Sequence, residues 1–212
     1  METFASVLMY APAVWFWIFL LLGAAKLARP ALPYRVRTLA LATLGFMAAY
    51  AATLTIGQYF VWKSDPFSSA FLSTPLSDLP LPLIGAFPGV FGTPVGYFVY
   101  HVWSRFWFPA IVSAIVAWIF AAFLRWLERY NPRFFVDGEV TFGFLAALLA
   151  GWPGFVVFVP AAFLLVVLLS IVRGILLREP YTTLGWPMAL AAATAWIFAN
   201  FIFAALGANL RV

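Results

Sequence analysis

The stretch that decides the fold is Phe134-Phe-Val-Asp-Gly-Glu-Val-Thr-Phe-Gly-Phe-Leu-Ala-Ala-Leu-Leu-Ala-Gly-Trp152, where two carboxylates stand at the start of an apolar run. The 212-residue chain around it is 66% hydrophobic and only 9% charged. A soluble domain is about half apolar and about one quarter charged. Since so few charges cannot cover so much apolar side chain in water, the composition predicts an integral membrane protein surrounded by a lipid bilayer.

The content of charged and sulfur-containing residues excludes several classes of function. The net charge of +5 comes from arginines and lysines near the ends of apolar runs, a pattern typical of membrane loops and not of a nucleic-acid surface. The chain has no cysteine and a single histidine, His101, which we interpret as a polar residue in an aromatic loop. Disulfides, thiolate metal sites and histidine-rich metal sites are therefore excluded, and no cofactor or metal is expected.

Apolar segments of about 20 residues are long enough to cross a hydrocarbon core of about 30 Å as helices. Six such spans are predicted, and Gly151-Trp-Pro-Gly154 is predicted to form a tight turn between the fourth and the fifth. The predicted fold is an all-α membrane protein, a six-span helical bundle forming one transmembrane domain over residues 1–212. The spans cover approximately residues 7–27, 38–62, 109–127, 134–152, 155–177 and 184–206.

The segment of residues 63–108 has a different character. Its six prolines and four glycines before residue 108 forbid a continuous helix. Its apolar part cannot face lipid as irregular backbone, because its peptide groups would be left unpaired. We expect an ordered extracytoplasmic loop that lies along the interface or packs on the bundle. Asp65 and Asp78 are predicted turn residues, and Gly96 to Phe108 is a predicted aromatic interfacial helix.

The distribution of cations predicts the orientation of the chain. Nine cations follow the first, third and fifth spans, against three on the opposite side. This asymmetry satisfies the positive-inside rule with both termini outside. The nine are Lys26, Arg29, Arg35, Arg37, Arg125, Arg129, Arg133, Arg173 and Arg178, and the three are Lys63, Arg105 and Arg211.

Asp137 and Glu139 are the main candidates for chemistry. The thirteen residues from Val140 to Trp152 extend only about 20 Å as a helix, so a full span has to begin near residue 133. Both carboxylates then lie at, or just inside, the cytoplasmic edge of the bilayer, where ionisable groups are candidates for function.

Two interpretations of these carboxylates stay open. They form salt bridges with cations of the same side, or they act as general acid and base. Two residues apart on one helix they point to different faces, so a catalytic pair would need a partner from another span. The candidate salt-bridge partners are Arg125, Arg129, Arg133 and Lys26.

The segment Gly138–Trp152 resembles the second catalytic motif of the type IV prepilin peptidases, which are membrane aspartic proteases. In that family the catalytic Asp follows Gly-x-Gly and precedes an apolar segment that ends in Gly-Trp. Leu184-Gly-Trp-Pro187 is similar to the turn that opens the last helix of the family, with one residue extra. Lys26, followed seven residues later by Pro33, stands where the family has its first catalytic Asp.

The departures from this pattern fall on the catalytic positions. Glu139 replaces the second Asp, Lys26 replaces the first, and Val136 replaces the first motif glycine. An aspartic protease needs two carboxylates that share a proton, and a lysine abolishes that arrangement. Glu139 and Asp137 stay the only catalytic candidates, and a Lys26–Glu139 ion pair is expected in place of the dyad.

The resemblance thus implies a non-catalytic member of the family in a prokaryotic cytoplasmic membrane. Its expected partner is a prepilin-like transmembrane segment or another membrane protein. The alternative is a structural or assembly subunit of a membrane complex that is unrelated to peptidases. A small transporter is less well supported, because no repeated half with interrupted helices is visible.

Overall fold

The computed structural model describes residues 2–76, 88–176 and 183–205, and these ranges contain helices and turns but no strand. The all-α prediction is therefore confirmed for this part of the chain. The helices are α1 (Glu2–Ala28), α2 (Val36–Ser64), α3 (Pro66–Ser69), α4 (Pro88–Phe91), α5 (Gly96–Val102), α6 (Phe108–Tyr130), α7 (Glu139–Ala150), α8 (Phe155–Leu176) and α9 (Gly185–Ala205).

Five helical segments of the described chain are long and apolar enough to cross a membrane. The shortest has 21 residues and extends about 31 Å, which matches the thickness of a hydrocarbon core. Such segments indicate an integral membrane protein, as the composition predicts. They are Leu8–Ala28, Val36–Ser64, Gly96–Tyr130, Phe155–Leu176 and Gly185–Ala205.

The third of these segments is longer than predicted, because α5 and α6 form one helical run. Between them, Trp103–Trp107 forms a π-helical turn in which the Phe108 N–H donates to the Trp103 carbonyl, five residues back. Pro109 has no N–H to donate, and its ring needs space beside the preceding turn. We infer that the wider π turn accommodates the proline, so the helix that contains the predicted third span begins well before residue 109.

The fourth predicted span is not one helix over residues 134–152. Its helical part, α7, has 12 residues and extends about 18 Å, which is less than the hydrocarbon thickness. Pro132–Phe134 forms a separate 3-10 turn, and Gly138 has a φ of 91° before α7 begins. Since this left-handed conformation cannot continue a right-handed helix, Asp137 lies in a turn outside α7, and six full spans are not confirmed.

Met1–Gly45 and Val112–Arg211 form one compact unit, in which α7 is buried. Helix α7 packs against α1, α8 and α9. Its Gly143 faces Leu124 of α6 and Met188 of α9, and a Cβ added there would lie 2.3 Å from Leu124 Cδ1. Absence of a side chain at Gly143 thus permits the close approach of three helices.

The turn Gly151-Trp-Pro-Gly154 joins α7 to α8, as predicted. Gly151 has a φ of 58°, and its carbonyl accepts a hydrogen bond from the Phe155 N–H at 2.6 Å. The Trp152 N–H donates to Ser113 Oγ of α6, also at 2.6 Å. These bonds hold the C-terminal end of α7 against α6.

Phe46–Ile111 belongs to the second compact unit, in which several aromatic rings lie near that of Trp62. His101 lies in helix α5 and not in a loop, but its setting is aromatic as predicted, with its ring centroid 4.8 Å from that of Trp62. The other rings near Trp62 belong to Phe71, Tyr97 and Phe98.

Asp65 has the turn role that the sequence predicts. Its side chain caps α3 by accepting a hydrogen bond from the Ser68 N–H at 2.8 Å. Hydrogen bonds from the side chain and the backbone of Ser68 lower the pKa of the Asp65 carboxyl. The predictions for Asp78, Arg178 and Arg211 lie outside the described residues.

Candidate functional site

Three helix ends meet around Glu139, the first residue of α7, whose side chain is only 2% exposed. Its Oε1 accepts a hydrogen bond from the N–H of Gly185, the first residue of α9, at 2.8 Å. Its Oε2 accepts a hydrogen bond from the Val136 N–H at 3.1 Å. The carboxylate therefore connects the N-terminal ends of two helices, α7 and α9, close to the C-terminal end of α1.

The local chain before α7 brings Val136 within reach of this carboxylate. The Val136 carbonyl accepts a hydrogen bond from the Glu139 N–H at 3.0 Å, and the left-handed Gly138 closes the turn. The Glu139 side chain then returns to an N–H three residues earlier, as the glutamate of a capping box does. Because the first N–H groups of a helix have no partner inside it and carry the positive end of its dipole, a carboxylate is well suited to this position.

Gly185 allows the second contact because it has no side chain. A Cβ at this position would lie 2.8 Å from Glu139 Oε1 and 2.8 Å from Leu27 Cδ1 of α1. The sequence marks Leu184-Gly-Trp-Pro187 as the start of the last helix, but nothing in it identifies Gly185 as the partner of Glu139. That pairing joins residues 46 positions apart and is visible only in the folded chain.

Lys26 holds the turn between α1 and α2. Its Nζ donates hydrogen bonds to the carbonyl oxygens of Pro30, at 2.5 Å, and Leu32, at 2.6 Å. Cationic side chains near a helix C-terminus commonly bind such carbonyls. The predicted Lys26–Glu139 ion pair is therefore wrong for the described structure, because backbone groups of nearer residues satisfy both side chains.

Asp137 is exposed in the turn before α7. Within the described ranges its carboxylate takes part in no ion pair or hydrogen bond. The predicted salt bridges of Asp137 and Glu139 with the neighbouring cations are accordingly wrong for this part of the chain. The prediction that the two carboxylates share one helix is wrong, because Asp137 lies in the turn before α7; Glu139 is buried and Asp137 is exposed.

A cavity of about 300 Å³, which we call the Glu139 cavity, lies beside the three helix ends. Lys26, Asp137 and Glu139, the three sequence-predicted site residues, all line it. Arg35 and Arg37 also line it and were not singled out from the sequence beyond their charge. The cavity thus brings charges of both signs together, although the described residues contain no metal-binding group of His, Cys, Asp and Glu side chains.

We expect the effects of Lys26→Met and Glu139→Gln on the free energy of unfolding to add to within about 0.5 kcal/mol. The reason is that Lys26 and Glu139 bind different backbone groups and share no partner. Denaturant titration of both single variants and the double variant in detergent measures the coupling. Glu128→Gln combined with Lys26→Met is the matched reference, because Glu128 does not line the cavity. A coupling energy above about 1 kcal/mol that is absent from the reference pair would show that Lys26 and Glu139 form an ion pair after all.

No family model matches the chain, and no curated protein or solved structure is significantly similar to it.

Proposed function

We propose that this protein binds a membrane partner at the Glu139 cavity without cleaving it, as a divergent relative of the prepilin peptidases. The observation that carries the proposal is the state of Glu139, whose two carboxylate oxygens both accept hydrogen bonds from backbone N–H groups. A carboxylate held in this way connects helices and is not available to a substrate.

The arrangement of the candidate residues argues against aspartic-protease chemistry. That chemistry requires two facing carboxylates that share one proton, so that one activates water and the other protonates the substrate. Lys26 supplies an ammonium group, which is bound to two carbonyls, where the resemblance requires the first carboxylate. Asp137 lies exposed in a turn while Glu139 is buried, so these two do not form the dyad either.

The lining of the Glu139 cavity suits the end of a transmembrane helix and its polar flank. Arg35, Arg37 and Asp137 are exposed at the cavity and offer both signs of charge. Trp186 lines it as well and is 46% exposed. A tryptophan at such a position is typical of the membrane interface, where its ring is apolar and its N–H meets water.

The proposed orientation places this cavity at the cytoplasmic face of a prokaryotic cell membrane. Cations of the α1–α2 turn line the same cavity as the first residues of α7 and α9, so all three helix ends lie on one basic side. By the positive-inside rule that side is cytoplasmic, and both termini are outside if residues 132–154 complete a sixth crossing.

The experiment that tests this function uses the purified protein in lipid nanodiscs with a synthetic prepilin that retains its transmembrane segment. A photo-crosslinking amino acid replaces Trp186 in one variant and Ile171, which is 54% exposed on α8, in the control. We expect intact prepilin by mass spectrometry and a crosslink from position 186 that is several times stronger than that from position 171.

Two outcomes would overturn the proposal. Cleavage of the prepilin that Glu139→Gln abolishes would make the protein a peptidase. Equal crosslinking from positions 186 and 171 would show that the prepilin does not bind specifically at the cavity. That result would favour the alternative function, a structural or assembly subunit of a membrane complex.

A further inference from the structure

A second cavity, of about 430 Å³, lies in the first unit between the start of α2, the second half of α6 and the start of α7. We call it the α2–α6 cavity. Its charged lining within the described chain consists of Arg37 and Arg125. The rest of the lining is mainly apolar, with Leu41, Trp118 and Phe144 as its large side chains.

The two arginines bring two positive charges to this cavity without a lining carboxylate to neutralise them. Both side chains are exposed, and neither forms an ion pair within the described ranges. Arg37 also lines the Glu139 cavity, but there Asp137 and Glu139 contribute negative charge. The α2–α6 cavity is therefore the better site for an anion.

The charged and apolar parts of the cavity are separated along the helices. Arg37 is the second residue of α2, and Leu41 lies four residues, or about 6 Å, further along it. Trp118 precedes Arg125 by seven residues of α6, or about 10 Å. The apolar wall therefore extends from the two arginines into the span of both helices.

The large side chains of Leu41 and Trp118 in the apolar wall are exposed on the outer surface of the helices. Leu41 is 57% exposed and Trp118 is 64% exposed. Both belong to segments long and apolar enough to cross a membrane, so lipid is the medium that meets them. A ligand of this cavity consequently needs an anionic end at the helix termini and an apolar end along the span.

We propose that the α2–α6 cavity binds one anionic phospholipid, with its phosphate between Arg37 and Arg125 and an acyl chain along Leu41 and Trp118. Guanidinium groups suit phosphate oxygens because their N–H donors match the geometry of two oxygens at once. Basic pockets between membrane helices bind anionic headgroups for the same reason. A zwitterionic lipid gains less here, because the lining has no carboxylate for its cationic headgroup.

The test measures lipids retained by the detergent-purified full chain, by native mass spectrometry, after titration with phosphatidylglycerol or phosphatidylcholine of identical acyl chains. The wild type is expected to retain one phosphatidylglycerol in preference to phosphatidylcholine. Arg37→Gln with Arg125→Gln is expected to weaken that retention about 30-fold, which corresponds to about 1 kcal/mol per arginine.

The matched control is Arg29→Gln with Arg129→Gln, which removes the same charge from exposed arginines that line neither cavity. It is expected to change retention less than about threefold, because the lost charges only act on the surface. Equal losses of phosphatidylglycerol retention in the two double variants would overturn the proposed site. The lipid would then be attracted by the positive charge of this side of the protein as a whole.

A third variant tests the apolar wall with both arginines intact. Trp118→Ala truncates an exposed side chain, so folding is retained, and it is expected to weaken retention of the long-chain lipid severalfold. Glycerol 3-phosphate and inorganic phosphate lack acyl chains and are expected not to displace the lipid. Displacement by either at equal concentration, or unchanged retention in Trp118→Ala, would overturn a lipid site and indicate a simple anion site.

Discussion

Replacement of Glu139 by alanine is expected to lower the free energy of unfolding by about 3–5 kcal/mol. The carboxylate is 2% exposed and accepts hydrogen bonds from the Gly185 and Val136 N–H groups. Each charge-assisted hydrogen bond contributes about 1.5–3 kcal/mol, and alanine also removes the acceptor of both N–H donors. Denaturant titration in detergent, followed by helical circular dichroism, measures the loss.

Glutamine at the same position separates hydrogen bonding from packing. Its amide has one oxygen to accept an N–H and an NH₂ group that cannot, so Glu139→Gln keeps one of the two bonds and is expected to lose roughly half as much stability. Asp137→Asn is the matched control and is expected to change stability by less than about 0.5 kcal/mol, because Asp137 is exposed. If Glu139→Ala costs no more than this control, the carboxylate does not hold the helices together.

Gly143→Ala is expected to destabilise the protein by about 1–3 kcal/mol, the range for overpacking in a core. The added Cβ would lie 2.3 Å from Leu124 Cδ1 and 2.9 Å from Met188 Sδ, so these two buried side chains would have to change rotamer. The same titration in detergent measures this effect.

Leu124→Ala provides the rescue test for this steric explanation. Leu124 is 1% exposed, and its truncation alone is expected to cost about 2–5 kcal/mol. In the double variant the new methyl group occupies part of the space left by leucine, so the combined loss should be at least about 1 kcal/mol smaller than the sum.

Gly174→Ala in α8 is the control for a glycine without neighbours, since nothing lies within 4 Å of an added Cβ there. It is expected to be neutral or stabilising by up to about 1 kcal/mol, because alanine favours helix.

Simple additivity of the stability losses of Gly143→Ala and Leu124→Ala would rule out the predicted clash.

The features that depend on composition and local chain chemistry were predictable from the sequence. The helical class, four of the apolar segments and the turn at Gly151–Gly154 follow from runs of apolar residues and from the conformations open to glycine and proline. The start of α7 was placed too early, because hydropathy does not show that Gly138 adopts a positive φ. The continuity of α5 with α6 was not predictable, because residue periodicity does not reveal the π turn that joins them.

The candidate site was predictable in its residues but not in their partners. Lys26, Asp137 and Glu139 do line one cavity. Counting charges suggested ion pairs among them, whereas the structure pairs Lys26 and Glu139 with backbone groups, which every residue type carries. A contact such as Glu139–Gly185 has no signature in local sequence, because it depends on where a later helix begins.

That late contact has a consequence for the order of assembly during synthesis. Gly185 follows Glu139 by 46 residues. At a translation rate of roughly 5–20 residues per second, the Gly185 N–H is therefore synthesised roughly 2–9 s after the Glu139 carboxylate. As a helix of about 18 Å, α7 is too short to cross a hydrocarbon core by itself, and it packs against α1, α8 and α9. The Gly185 N–H, at the start of α9, is therefore the last part of this hydrogen-bonded site to be synthesised.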